Sequence, residues 1–176
     1  MKTGLYFLVV LLMSVSTHAG TIDLHQSVLT WKASKVVGGS FHEGPIMIKK
    51  ASLKDGKGEV LVDMKSIGEV TLKGKWKKQF IDHIKSSDFF NVEKYPLAKL
   101  TVEKIDSGYL HGKLTIKGKT NDISFPVEKT KDGYQGEFGF DRTRFGIIYG
   151  SGNFFKNLGD KMIADTVIVK FKLKIK

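Results

Sequence analysis

The sequence predicts an all-β fold, an antiparallel barrel of about eight strands with one short amphipathic helix laid against it. Three observations carry that expectation. Apolar residues alternate with lysines at every second position through much of the chain, as they do on a sheet with one dry and one wet face. The alternation comes in short runs broken by Gly, Asn and Asp, the punctuation of strands joined by turns. One stretch, residues 75–86, changes to the spacing of a helix.

The C-terminal run is the clearest strand. Val167, Val169, Phe171, Leu173 and Ile175 share one face, and Lys170, Lys172, Lys174 and Lys176 share the other. Residues 28–33, 45–49, 59–64, 98–102 and 134–140 read as further short strands. Leu114 and Ile116 are expected to lead through a five-residue loop at 118–122 into Ile123, Phe125 and Val127, forming a hairpin. A sheet of this many strands leaves two edges open unless it closes on itself, which is why a barrel is expected. In residues 75–86, Trp76, Phe80 and Ile84 stand four apart and stack on one helical face, with Lys75, Lys77, Lys78 and Lys85 toward water. Tyr95 and Pro96 then force extended backbone and open the next strand. Gly136 and Gly139 sit inside a strand beside Phe138 and Phe140, where a missing side chain either allows a bend or leaves room for a guest.

The N-terminus reads as an address. Lys2, an apolar run over residues 5–15 and the small-residue stretch Ser16, Thr17, His18, Ala19 predict a signal peptide at 1–19, cleaved after Ala19, leaving one domain at 20–176. The expected location is therefore periplasmic or secreted. The chain has no Cys, so neither a thioether-linked lipid anchor nor a disulfide framework is available, and stability must come from a hydrophobic core.

A formal charge of +11, from 29 basic and 18 acidic residues, invites a nucleic-acid reading, but its distribution argues against one. The lysines are spread along the wet faces of strands and accompany no groove-reading helix. Peripheral contact with an anionic membrane surface fits the same charge better, and self-association into a homodimer is the remaining partner expectation. Catalytic constellations are missing: Ser151 lies in Gly-Ser-Gly without the strand-to-helix elbow of a nucleophile. His25, His42, His83 and His111 are far apart and form no His-x-x-x-His pair, so neither a metal nor any other cofactor is expected. Arg142, set among Phe138, Phe140 and Phe145, needs a partner, either a ligand oxygen at the barrel mouth or one of Asp141, Asp88 and Asp160.

Four segments are specific enough to carry a resemblance. They are Trp-Lys-Ala-Ser-Lys-Val-Val-Gly-Gly-Ser-Phe-His-Glu-Gly from Trp31, His-Ile-Lys-Ser-Ser-Asp-Phe-Phe-Asn-Val-Glu-Lys-Tyr-Pro from His83, Leu-Thr-Ile-Lys-Gly-Lys-Thr from Leu114, and the stretch from Asp141 that contains Tyr-Gly-Ser-Gly. In this order they resemble the YceI-like family over essentially the whole mature chain. The resemblance implies a lipocalin-like barrel whose apolar tunnel holds a prenyl chain, such as that of a quinone or a polyprenyl phosphate. It implies an exported carrier or binding protein for an isoprenoid or other long apolar lipid, not an enzyme. The expected ligand-binding residues are Trp31, Phe41, Phe89, Phe90, Phe138, Phe140, Phe145, Tyr149 and Phe154, with His42, His83 and Arg142 at the polar rim. Twelve Phe residues are also more aromatic bulk than a small filled barrel requires. The competing reading is an envelope stress-related structural or interaction protein, its core filled by its own side chains and its basic surface used for docking.

Overall fold

The computed structural model describes residues 20–176; the expected signal peptide lies outside the described residues. Ten strands form the fold: β1 Gly20–Lys35, β2 Phe41–Pro45, β3 Met47–Lys54, β4 Lys57–Asp63, β5 Leu97–Asp106, β6 Tyr109–Ile116, β7 Lys119–Pro126, β8 Glu128–Thr130, β9 Gly133–Asp141 and β10 Ile163–Ile175. They run in the order β7-β6-β5-β4-β3-β1-β10-β9-β8, every ladder antiparallel, with β2 paired to β1 beside this path. Side chains bring β7 and β9 together: Phe125 stacks on Phe138 with ring centres 4.1 Å apart, and Phe171 of β10 meets Phe125 edge-on at 5.9 Å. Such pairs contribute about 0.5–1.5 kcal/mol each beyond the area they bury. The result is a nearly closed antiparallel barrel.

Ten strands replace the expected eight partly because the run 45–49 is divided. Pro45 ends β2, the Ile46 N–H turns aside to the Leu29 carbonyl at 3.0 Å, and β3 begins at Met47. The three-residue β8 supplied no period-two signal. The hairpin after Ile116 is also tighter than expected. Lys117 and Gly118 both have positive φ, 51° and 75°, giving a two-residue turn, and pairing resumes at once with Ile116 opposite Lys119. Residues 119–122 are therefore strand, not loop.

The helix, α1 Gly74–Lys85, lies in the long connection from β4 to β5. Ile84 is buried against Trp31 and Ile67, with Phe80 and Ile81 packed alongside. Trp76 departs from the expectation: it is 63% exposed. It stands eight residues before Ile84, about 12 Å along the axis, so the first turn overshoots the wall on which the rest of the helix packs.

The registers fix which connections share an end. Lys35 faces Ile163, Ser34 faces Phe41, Asp63 faces Leu97 and Ile116 faces Lys119. The β1–β2 turn, the segment carrying α1, the β6–β7 turn and the 142–162 connection therefore gather at one end, the helix end. The turns at Asp55–Gly56 and Ser107–Gly108 mark the other.

Candidate functional site

The barrel interior is hollow. A cavity of about 350 Å³ runs inside it, walled almost wholly by apolar side chains and within the size range of small-molecule sites. The alternation in β10 shows how the sequence builds it. Val167, Val169, Phe171 and Leu173 all line the cavity, yet only Val167 is fully buried; Phe171 leans on Phe125 and Phe138, while Val169 and Leu173 are half-buried and belong to no packed cluster. Three packed clusters surround the space without filling it: one around Phe145 and Ile147, one around Phe125 and Val127, and one of Trp31, Ile67 and Ile84 beneath α1. Gly136 serves the barrel's own packing, since a Cβ there would stand 2.9 Å from the Phe171 ring.

Nine of the twelve residues singled out from the sequence lie on the cavity wall: Trp31, His42, His83, Phe89, Phe90, Phe138, Phe140, Arg142 and Tyr149. Three do not. Phe41 precedes the inward-facing His42, so strand alternation turns it outward, where Lys32 Nζ sits 3.9 Å above its ring. Phe145 ends a 3₁₀ turn, Arg142–Phe145, that buries it behind Phe140, ring edge to ring face at 5.6 Å. Phe154, in the 142–162 connection, is more than half exposed.

Aromatic rings frame the helix end of the cavity. Phe80 of α1 is parallel to Trp31 at 6.3 Å and meets His42 at 4.3 Å, while the Trp31 indole N–H donates to the Gly68 carbonyl at 2.9 Å. His83 stands edge-on to both Phe89 and Tyr149, at 5.1 and 4.7 Å, with its Nε2 3.6 Å from Asp88. Phe80 escaped the sequence reading as a site residue because it was read as helix core. The aliphatic wall, including Ile48, Val60, Val62, Leu100 and Val169, was missed as well, although inward alternation marked it.

Arg142 is a structural residue. All its N–H directions are taken: Nε donates to the Ala164 carbonyl, Nη1 to the Ile147 and Tyr149 carbonyls, and Nη2 to the Ile163 carbonyl and to Asp165 Oδ1 at 3.2 Å. Burial draws its pKa down, opposed by the charges of Asp165 and Asp141. Its ion pair is with Asp165 and not with Asp141, Asp88 or Asp160, and the guanidinium has no free donor for a ligand. Asp165 also accepts from Ser151 Oγ at 2.9 Å and Asn153 Nδ2 at 2.7 Å, so the Gly-Ser-Gly loop is tied into the same network.

A second buried charge had no sequence signal. Glu69 is 1% exposed in the connection before α1, and that connection runs along β2, with Gly68 N–H donating to Pro45 and Val70 N–H to Glu43. Burial alone would raise its carboxyl pKa, but the Thr71 hydroxyl, the backbone N–H groups of Leu72 and Thr71, and His42 hold it below the ordinary value. His42 Nδ1 lies 3.0 Å from Thr71 Oγ1 and 3.6 Å from Glu69. A carboxylate whose folded-state pKa is lowered stabilises the fold above its unfolded pKa, and loses that contribution as pH falls through the folded value. Glu69→Gln should therefore be less stable at neutral pH, by about 1–3 kcal/mol, and the gap to the parent should narrow on acidification below about pH 4. Denaturant unfolding across pH checks this; curves that stay parallel would refute it.

Among the described residues, no group of three or more His, Asp or Glu converges to hold a metal ion. The cavity and its ringed mouth are suited to holding a chain of hydrocarbon.

Comparison with known proteins agrees with this geometry. The profile of the YceI-like domain matches residues 21–175. No curated protein matches the sequence. Among solved structures, Burkholderia cenocepacia BcnA aligns with a TM-score of 0.64 at 24% identity, covering 86% of this chain and 98% of its own. A polyisoprenoid binding domain from Saccharophagus degradans, implicated in plant cell wall breakdown, aligns with a TM-score of 0.60 at 14% identity, covering 90% of this chain and 98% of its own. Both likenesses are of fold.

Proposed function

Because the chain belongs to the YceI-like domain family, we propose that it is an exported carrier that holds an isoprenoid or similar long apolar lipid, of polyprenyl or quinone type, inside its barrel. It is a binding protein and not an enzyme. The observation that carries the reading is the open apolar cavity, where the inward Val169 and Leu173 of β10 remain half-buried and join none of the three packed clusters. A barrel filled by its own side chains, as the structural or interaction reading requires, would have these residues in contact with one another. The polyisoprenoid-binding description of the Saccharophagus domain supports the choice of ligand class. The same reading takes residues 1–19 as an export leader, the compartment as periplasmic or secreted, and a homodimer and an anionic membrane surface as outer contacts.

Chain length should dominate affinity. Each buried methylene contributes roughly 0.8 kcal/mol, so a five-carbon isoprene unit offers on the order of 4 kcal/mol before ordering costs. Across a series of prenyl alcohols and quinones, affinity should climb with each short unit, flatten once the cavity is full, and vary little with head group, because Arg142 has no donor left to offer. Titration of that series is the test. Affinity that follows the head group and ignores chain length would overturn the reading.

A further inference from the structure

The helix end of the barrel carries an apolar surface that the packing does not use. Val36 and Val37 in the β1–β2 turn, Val70 before α1, Trp76 in its first turn and Phe154 in the 142–162 connection are each more than half exposed, and Phe155 is nearly so. Three separate segments thus place large apolar side chains at one end. They are joined there: Val36 N–H donates to the Met162 carbonyl at 3.0 Å, and Val70 N–H to the Glu43 carbonyl at 2.9 Å. The same segments bound the helix end of the cavity, where Lys35, Phe80, His83, Tyr149 and Ile163 reach its wall. Toward the opposite end the turns are Asp55–Gly56 and Ser107–Gly108, with Lys131 and Asp132 before β9, and the exposed large apolar side chains are Leu24 and Val28 on β1 and Tyr109 on β6, without an exposed Trp or Phe.

Charge says what covers this surface. The first turn of α1 contains no acidic residue, its N-cap is Lys73 with no side-chain capping bond, and Lys75 and Lys77 follow. Cations there oppose the helix dipole, an arrangement that costs stability in isolation and is relieved by an anionic neighbour. Among the described residues, Lys78 pairs with Asp82 at 2.6 Å, whereas Lys73, Lys75 and Lys77 make no ion pair. A Trp flanked by lysines without ion pairs, at the barrel end that also exposes Phe154 and Phe155, matches the boundary of a bilayer, where aromatic rings sit at head-group depth and each lysine near an anionic leaflet contributes about 1 kcal/mol.

We propose that this end docks on an anionic bilayer with the cavity mouth facing the membrane, so that an apolar chain passes between bilayer and barrel without crossing water. The direction of transfer rests on the carrier reading; the docking does not. It is tested by co-sedimentation of the full barrel with vesicles of phosphatidylcholine alone or containing phosphatidylglycerol, alongside Trp76 emission in a Trp31→Phe variant. The protein should sediment with the anionic vesicles only, the Trp76 emission should move to the blue, and salt should release it. Trp76→Ala combined with Phe154→Ala, and separately Lys75→Glu combined with Lys77→Glu, should each weaken binding by at least about tenfold without lowering the melting temperature, because all four positions are exposed and acidic residues at the start of α1 favour its dipole. A Val169→Trp barrel, with its cavity narrowed, should still bind the vesicles while its affinity for a prenyl chain falls by about two to three orders of magnitude, which separates failure of docking from failure of the carrier reading. Absence of binding, equal binding to neutral vesicles, or binding unmoved by the variants would overturn the proposal. So would a dimer that Trp76→Ala dissolves, which would give this surface to a second copy of the chain.

Discussion

Val169→Trp should sharply weaken retention of a prenyl chain and leave the barrel at least as stable as before. Val169 sits in β10 between Trp31 of β1 and Phe138 of β9, faces the cavity, and is half-buried although its side chain points inward. In a packed core, so large an insertion costs about 1–3 kcal/mol through displaced neighbours and strained rotamers. Here the indole enters empty space and loses water-exposed surface, so the melting temperature should hold or rise. The space it occupies is no longer available to ligand. Displacing one isoprene unit removes on the order of 4 kcal/mol of burial, which, after allowing for ordering costs, weakens binding by about two to three orders of magnitude. Thermal unfolding and prenyl-alcohol titration give the two readouts. A large stability loss with affinity unchanged would place the binding site elsewhere and make the interior a core.

Arg142→Leu should do the reverse. It leaves the cavity at least as apolar as before but strips Asp165 of its counter-ion and takes the donors from the carbonyls of Ile147, Tyr149, Ile163 and Ala164. Breaking a buried pair from one side typically costs about 3–5 kcal/mol, a large share of the roughly 5–15 kcal/mol that holds a domain of this kind together. The 142–162 connection should loosen first, because Ser151 and Asn153 are anchored to the same carboxylate. The folded fraction should bind a prenyl alcohol with nearly the parent's affinity. A variant that stays stable but loses a phosphate- or quinone-headed ligand would show that the guanidinium reads the head group after all.

The parts of this molecule that could be read in its sequence are those set by period. Alternation in the C-terminal strand gave both its lysine face and its inward face, and the four-residue spacing of Phe80 and Ile84 gave the helix and its packed side. The same spacing misplaced Trp76, because a periodic face says which side of a helix is apolar but not how far along the helix the neighbouring wall extends. Phe41 and Phe154 were misplaced for a related reason: aromatic character says nothing of direction, whereas alternation beside His42 would have turned Phe41 outward. Asp165 and Glu69 could not be found by spacing. Asp165 meets Arg142 across 23 residues, and Glu69 is buried only because its connection runs along β2. The hollow itself was expected from resemblance and from the count of Phe, yet much of its wall is aliphatic. Whether inward residues touch one another or face a void depends on barrel circumference, which pairing order and closure set.

The central claim is that the interior holds an apolar guest, and the mass of the native particle tests it most directly. Native mass spectrometry of the purified protein, before and after incubation with a long prenyl alcohol and again after extraction with organic solvent, should show a bound apolar molecule in the parent that solvent removes. The Val169→Trp barrel should show far less under the same conditions. A parent that keeps the mass of the bare chain throughout would contradict the account.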